Sequence, residues 1–449
     1  MKLAVAGAGF VGLVTALCLA KHGHEVSLLD RDTRKIRLLQ QGEPPFFEAE
    51  VADMLAQYAP SMTFTDDPAV AYTDALAVFL CVGTPGRGDG RANLSYVWQA
   101  AEQVAAACPG GCTVVVKSTV PIGTCDRLEE HLSRITGADR FPVASNPEFL
   151  AQGTAVRDML YGPRIVAGVG DESCRALLAE LYAPFQPPLV ITDRRTAEMI
   201  KYACNNFLAL KISYINEIAN LCEMVGADVD TVALGMGLDP RIGQRFLRAG
   251  IGYGGSCFPK DTKALHWLAK YHDYELKTVK AAIEVNENQK LRLLKKARRY
   301  YPCLEGVETA VLGLTFKPGT DDLREAPSLQ IVPLLLEDGA RLRLWDPVGQ
   351  ARFQEVVPPG TAVQYCDSLQ EALSGAQLCL ILTEWDEILR LDPGEYVRLM
   401  EQPVVLDGRN CYDPGQARRA GVCYDSIGRP DALQNRHKEV LNPLPAAAR

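Results

Sequence analysis

The tightest constraint on what this chain can fold into lies at its start. An apolar pentapeptide, KLAVA (2–6), runs directly into Gly7-Ala8-Gly9-Phe10-Val11-Gly12, and an apolar stretch from Val11 to Ala20 follows. A short buried strand that breaks at glycines and re-emerges as a helix is the opening of a βαβ unit. The next apolar run, EVSLL (25–29), closes on Asp30. Each glycine has a physical task in this reading. Gly7 permits the tight turn, Gly9 keeps a side chain out of the path of a pyrophosphate, and Gly12 lets helix and strand pack closely. The helix N-terminus offers positive potential to phosphate. Asp30 is suited to accept hydrogen bonds from ribose hydroxyls and repels a 2′-phosphate, so NAD is expected rather than NADP; Arg31 beside it pulls the other way. Val11 and Lys35 are grouped with these residues as cofactor-binding. A turn that serves the fold alone is the alternative.

The same alternation continues. ALAVFLC (75–81) and TVVVK (113–117) read as strands separated by helical segments, which implies a parallel sheet covered on both faces. Cys81–Pro85 and Ser118–Pro121 follow those strands, so Thr84 and Thr119 are expected to line the cofactor crevice; single hydroxyls serve turns equally well. This first domain, the NAD-binding one, spans 1–193. From 194 to 297 the pattern becomes helical: Arg195–Val225 is long and continuous with Gly226 as its stop, and 263–271 and 279–299 follow. Strand signals return at TAVLGL (309–314), RLRLW (341–345), AQLCLIL (376–382) and VVLD (404–407), which makes 305–425 a third, α/β domain, with 426–449 as a tail. The expected fold class is α/β, with two Rossmann-like doubly wound domains joined by a helical middle domain. Whether the two α/β halves are echoes of each other is open at this level.

Composition removes several classes. Lys and Arg number 47 against 55 Asp and Glu, a net charge of −8, so there is no basic excess for nucleic acid. No apolar run approaches the ~20 residues a membrane helix needs, and the N-terminus leads into a glycine turn rather than a signal core. A cytoplasmic protein without a membrane partner is expected. The 14 cysteines include no C-x-x-C and only six histidines accompany them, so reduced, packed thiols are expected and no metal site.

Cys257 is the exception. It lies in Gly254-Gly255-Ser256-Cys257-Phe258-Pro259-Lys260-Asp261, where two glycines strip side chains from its approach and Pro259 suits the first turn of a helix. A thiol near a helix N-terminus and beside Lys260 is favoured as thiolate. Lys201 and Asn205 are four apart and share a helix face, suited to polarise an oxygen and hold a water; a solvated stripe is the other reading. Glu148, in Asn146-Pro147-Glu148-Phe149-Leu150 after a strand ending near Ser145, is a candidate base or a plain turn glutamate.

Taken together these segments resemble the UDP-glucose/GDP-mannose dehydrogenase family, over nearly the whole chain to about residue 413. The resemblance rests on GAGFVG (7–12), STVPIGT (118–124), NPEFL (146–150), KYACNNFLALKISYINE (201–217), DPRIG (239–243), GYGGSCFPKD (252–261) and FKPGTDDLRE (316–325). It implies a homodimer formed through the central helices, with a nucleotide-sugar substrate bound by the third domain. It implies that UDP-glucose is oxidised to UDP-glucuronate through a thiohemiacetal and a thioester on Cys257, or that GDP-mannose or a UDP-N-acetylhexosamine undergoes the same chemistry. In this resemblance Lys201, Asn205 and Asp261 stabilise oxyanions and position water, Glu148 is a base for hydrolysis and Thr119 a helper near the same water. Glu148, Phe149, Leu150, Lys201, Asn205, Arg241, Gly254 and Lys317 are the expected substrate contacts, and Lys260 and Arg324 lie with the cofactor group. Many relatives carry a second glutamate four residues after the first, where this chain has Gln152; an amide cannot act as a base, so Glu148 bears more of the work. A 3-hydroxyacid dehydrogenase would share the first domain and the Lys–Asn pair but leaves GGSCFPKD and the third domain unexplained. A silent NAD-binding protein would be expected to lack Cys257, Lys201 or Asp261.

Overall fold

A computed structural model describes residues 1–48 and 50–430; most of the expected tail lies outside the described residues. The first sheet has eight strands: β1 (Lys2–Ala6), β2 (Glu25–Leu29), β3 (Met62–Thr65), β4 (Ala77–Leu80), β5 (Thr113–Val116), β6 (Val143–Ser145), β7 (Ile165–Gly168) and β8 (Leu189–Thr192). Their order is β3-β2-β1-β4-β5-β6-β7-β8, and only β6 and β7 meet antiparallel, through Ser145 and Gly168. Leu3 and Val5 enter one hydrophobic cluster while Ala4 and Ala6 enter another on the opposite face. That period of two, with both faces apolar, is what a parallel sheet covered on both sides requires. The strand order reverses between β1 and β4, so the ligand crevice is expected beyond the carboxyl ends of these two strands.

The second sheet has six strands: β9 (Glu308–Leu312), β10 (Arg341–Trp345), β11 (Val363–Tyr365), β12 (Leu378–Ile381), β13 (Val404–Asp407) and β14 (Cys423–Ser426). All are parallel, in the order β11-β10-β9-β12-β13-β14. This repeats the order of β3-β2-β1-β4-β5-β6, so the two α/β halves are topological echoes. Strands that carry no long apolar run, such as β3, β8 and β11, are short and partly exposed and have little sequence signal.

By internal contacts the chain divides into two compact units: Met1–Asn205 with Lys260–Glu275, and Asn206–Pro259 with the chain from Leu276 onward. The helix Arg194–Val225 is unbroken over 32 residues. It ends as expected at Gly226, whose φ of 77° and N–H to the Cys222 carbonyl (2.9 Å) form a left-handed cap. Two helices differ from expectation. The one expected at 263–271 starts earlier, at Phe258. The one expected over 279–299 is two, Lys277–Lys290 and Arg292–Tyr300, because the chain turns at Leu291. Lys290 just before that turn is buried and pairs with Glu287 at 3.0 Å.

In the second unit, a buried ionic knot fastens β14 to the helices. Lys296 Nζ lies 2.9 Å from Glu223 Oε1 and 2.7 Å from Asp425 Oδ1, and Arg292 caps Glu223 at 2.6 Å. Removing one member of such a knot leaves buried charge uncompensated. Lys296→Met is therefore expected to destabilise the second unit by about 3–5 kcal/mol, measured by denaturant unfolding. A variant as stable as wild type would show that the knot contributes nothing.

Candidate active site

The glycine turn in the first unit is built as the fingerprint requires. Gly7 has φ 105° and donates its N–H to the Leu29 carbonyl at 2.7 Å. A Cβ at Gly7 would sit 2.8 Å from the Cys81 carbonyl oxygen, and one at Gly12 would sit 1.8 Å from the Gly7 oxygen. Both positions therefore exclude any larger residue. A Cβ at Gly9 would meet no atom of the chain, so its smallness is not needed for internal packing. The helix Phe10–Lys21 begins here, with Val11 half-buried in its first turn. Asp30 follows β2; it accepts from the N–H groups of Ala8 (2.7 Å) and Asp32 (2.9 Å), and Lys35 Nζ lies 3.4 Å away. The carboxylate is thus locked beside the turn. Arg31 points elsewhere, over the Tyr96 ring at 4.6 Å. Thr84 donates its hydroxyl to the Thr119 carbonyl at 2.9 Å, which laces together the loops after β4 and β5. These residues fit the phosphate and ribose of a dinucleotide.

A second group in the same unit is buried and charged. Lys201 Nζ lies 3.0 Å from Glu148 Oε1. One helical turn later, Asn205 Nδ2 donates to Asp261 Oδ2 at 2.7 Å, and the Lys260 ammonium is turned onto the other oxygen of Asp261. Lys260 is therefore paired with the carboxylate next to it in sequence. Burial alone would raise the Glu148 carboxyl, but the Lys201 ammonium and the Leu150 N–H (2.6 Å) outweigh it and hold Glu148 below the usual carboxylate range. Phe149 lies beneath two cations: Arg164 at 3.9 Å and Lys201 at 5.3 Å from its ring centre.

Three residues of this neighbourhood had no role in the sequence reading. Lys117 is buried and donates to Asn146 Oδ1 at 3.1 Å, and burial depresses its ammonium. Its signal was present: it is a lysine closing the otherwise apolar strand TVVVK. Glu198 accepts the N–H groups of Gly123 (2.5 Å) and Cys125 (2.9 Å), tying the STVPIGT segment to the helix that bears Lys201. Arg164 gave no local signal.

In the second unit, Cys257 is exposed and immediately precedes the helix Phe258–Tyr271. The segment leading to it, 250–255, has no regular structure, yet it is strapped. Gly250 N–H donates to Asn216 Oδ1 (2.9 Å), and its carbonyl accepts from Gln289 Nε2 (2.7 Å). Ile251 N–H donates to the Gly408 carbonyl (3.1 Å), and Gly255 N–H to the Arg324 carbonyl (2.7 Å). The Gly252 carbonyl accepts from Arg409 Nη1 at 3.1 Å. The two glycines before Cys257 are required by packing. A Cβ at Gly254 would lie 2.5 Å from the Glu325 carbonyl oxygen, and one at Gly255 would lie 2.9 Å from the Phe316 ring. The Arg324 guanidinium is held above its usual range by its hydrogen bond to Asp322, and it also feels the charge of Cys257. Lys317 Nζ sits 5.6 Å from the Phe316 ring centre. Arg241 is largely exposed and engages Asp239 of its own turn at 2.6 Å.

The glycine fingerprint at the head of a doubly wound sheet marks the first unit as a dinucleotide-binding domain. Sequence models of the UDP-glucose/GDP-mannose dehydrogenase family match throughout: its NAD-binding domain at residues 1–186, its central domain at 195–288 and its UDP-binding domain at 310–414. A UDP-glucose 6-dehydrogenase of Bacillus subtilis is 45% identical over 96% of this chain and 98% of its own length. One from Rhizobium meliloti is 44% identical over 96% of this chain and 100% of its own. The solved structure of a UDP-glucose dehydrogenase from Pyrobaculum islandicum superposes with a TM-score of 0.88 at 36% identity, covering 95% of this chain and 98% of that one. The chain belongs to the UDP-glucose/GDP-mannose dehydrogenase family.

The depressed Glu148 carboxyl has a pH signature. Its stabilising effect is fully present above the ordinary carboxylate pKa and is lost as pH falls through the lower folded value. Glu148→Gln is expected to be the less stable protein at neutral pH, with the two stability curves converging as pH falls from the ordinary carboxylate range through the lower folded value of Glu148. Parallel curves in denaturant titrations would show that Glu148 is not held ionised by Lys201.

Proposed function

We propose that this enzyme carries out the NAD-dependent, four-electron oxidation of UDP-glucose to UDP-glucuronate, with Cys257 as the covalent carrier. The observation that carries the reading is the buried pairing of Lys201 with Glu148 and of Asn205 with Asp261 on successive turns of one helix, in a chain matched by the family along its length.

Gly7, Gly9, Val11, Gly12, Asp30 and Lys35 would hold the cofactor, with Thr84, Thr119, Lys260 and Arg324 near it. When bound, NAD accepts a hydride from C6 of the sugar in each oxidation. In the first, the C6 hydroxyl loses its proton, and Lys201 would stabilise the growing negative charge in a water-poor setting, where such a charge counts most. Asn205 and Asp261 would orient the water that takes the proton. The Cys257 thiolate would then add to the aldehyde carbon, and this capture keeps the aldehyde from escaping. Loss of the second hydride converts that adduct to a thioester. Water attacks the thioester carbon, the C–S bond breaks, and the thiolate is regenerated beside a carboxylate. Glu148 or Asp261 would take the water proton. Glu148, Phe149, Leu150, Gly254 and Lys317 would contact the substrate.

A three-domain division of 1–193, 194–297 and 305–425 is supported by the three family models, which span 1–186, 195–288 and 310–414. A homodimer through the central helices is supported by Phe207, Tyr214 and Leu221, exposed at seven-residue spacing on the long helix, with Met224, Leu234 and Leu238 exposed nearby in sequence. Arg241, unengaged with its own unit's other expected contacts, would reach the partner's sugar site. Among the described residues no helix is long and apolar enough to cross a membrane, which is compatible with a place in the cytoplasm, where the product would feed polysaccharide synthesis.

Two NADH per UDP-glucose are expected in an absorbance assay with limiting substrate, with slower turnover on GDP-mannose, on UDP-N-acetylhexosamines and with NADP. A ratio of one would end the thioester scheme. Cys257→Ser is expected to stall after the first oxidation or to trap an ester.

A further inference from the structure

Among the straps on the segment before Cys257, the one from Asn286 is the most complete. Its Oδ1 accepts the Tyr253 N–H at 2.7 Å, and its Nδ2 donates to the Tyr253 carbonyl at 3.1 Å. A side-chain amide carries the same donor and acceptor as a peptide unit, so Asn286 stands in for a neighbouring strand over a single residue. The amide is 1% exposed, and both of its contacts are buried. Its seat is prepared by Gly252, which has φ 86°; a Cβ there would lie 2.7 Å from Asn286 Oδ1. The same helix, Lys277–Lys290, also sends Gln289 to the Gly250 carbonyl, and Gln289 is oriented in turn by Asn220 at 2.9 Å.

A run with glycines at 250, 252, 254 and 255 has much more backbone freedom than the same run with side chains at those positions. Covalent catalysis needs the opposite, a sulfur whose line of approach is fixed before the reaction. The freedom must therefore be removed by contacts from outside the run.

We propose that Asn286 is a positioning residue for Cys257: by holding both polar backbone groups of Tyr253 it fixes the turn at 252–255 and thereby the direction in which Sγ approaches the sugar carbon. This rests on Cys257 as the nucleophile. Asn286 touches no reacting atom. Its effect falls on the rate of the bound complex and not on the affinity for either ligand.

The test compares four variants by steady-state kinetics with UDP-glucose and NAD and by thermal melting. Asn286→Ala removes both hydrogen bonds, while Asn286→Asp keeps the acceptor for the Tyr253 N–H and loses the donor. Ser213→Ala is the control, because Ser213 Oγ donates to the Ala282 carbonyl at 2.7 Å and ties the same two helices without touching the segment. Cys257→Ala tests the underlying chemistry. Asn286→Ala is expected to lower kcat about 10²-fold, with each KM changed by less than about threefold. Asn286→Asp is expected to recover part of that loss, and Ser213→Ala to melt lower at unchanged kcat. If Asn286→Ala does not fold, Asn286→Asp decides, with a kcat loss above about threefold supporting the proposal and a smaller one overturning it. A kcat loss in Ser213→Ala equal to that of Asn286→Ala also overturns it. If Cys257→Ala still turns over fully, the nucleophile assignment itself fails. If Cys257→Ala is inactive while both Asn286 variants behave as wild type, only the positioning role fails.

Discussion

The first unit's chemistry depends on one constraint: Lys201 and Glu148 are both taken out of water and must satisfy each other. Separating a buried pair of this kind by removing one partner costs about 3–5 kcal/mol. The helix carrying Lys201 and the turn carrying Glu148 are therefore not free to drift apart. Lys117 reinforces the same turn from the end of β5 through Asn146, whose Nδ2 donates to the Val166 carbonyl at 2.8 Å. Glu198, three residues before Lys201, holds the end of the STVPIGT segment through the N–H groups of Gly123 and of Cys125 just beyond it. A single helix thus gathers the strand ends of the sheet around its own ammonium group. The short spacing from Glu198 to Asn205 is where fold and chemistry are joined.

The two α/β halves show how one frame takes on different tasks. In the first, Gly7 donates to Leu29 and Asp30 accepts from Ala8 at 2.7 Å. In the second, Gly313 donates to Trp345 at 2.8 Å and Asp346 accepts from Leu314 at 2.7 Å. The divergence lies in what else the acid does. Asp346 also accepts from Thr315 N (3.1 Å), Val348 N (3.0 Å), Gly349 N (2.6 Å) and Trp385 Nε1 (3.0 Å). A carboxylate has about four lone-pair sites, so Asp346 is used up by its own chain, whereas Asp30 keeps capacity for a ribose. The family models follow the same division, with NAD binding matched to the first half and UDP binding to the second.

The doubly wound sheet was legible because it rests on local signals: strand period, glycine turn, terminal acid and the Gly226 stop. The second sheet was legible in its apolar strands and obscure in its edge strands, where a short, half-exposed trio such as β11 has no period to read. The site divided in the same way. Lys201 and Asn205 share a face by helical geometry alone, and Cys257 stood out by its glycines and proline. What those glycines do was not legible, because their neighbours, Phe316 and Glu325, lie some sixty to seventy residues away in sequence. The amides of Asn216, Asn286 and Gln289 escaped for the same reason. Each bonds a backbone more than thirty residues distant, and no spacing rule connects a helix amide to a remote loop.

In the proposed mechanism Gln152 cannot accept a proton, so base catalysis in the thioester step would fall to Glu148 or Asp261. The low pKa of Glu148 looks unhelpful at first, since base strength follows proton affinity. Its cause resolves the difficulty. Burial raises the carboxyl, and the Lys201 ammonium is the largest of the forces that lower it. An oxyanion forming on the substrate would compete for that same ammonium. As Lys201 turned toward the new charge, Glu148 would lose part of its attraction while keeping its burial, and its proton affinity would rise. The lysine would then couple the two events: the growth of negative charge on the carbonyl oxygen of the thioester would itself prepare the base that receives the water proton.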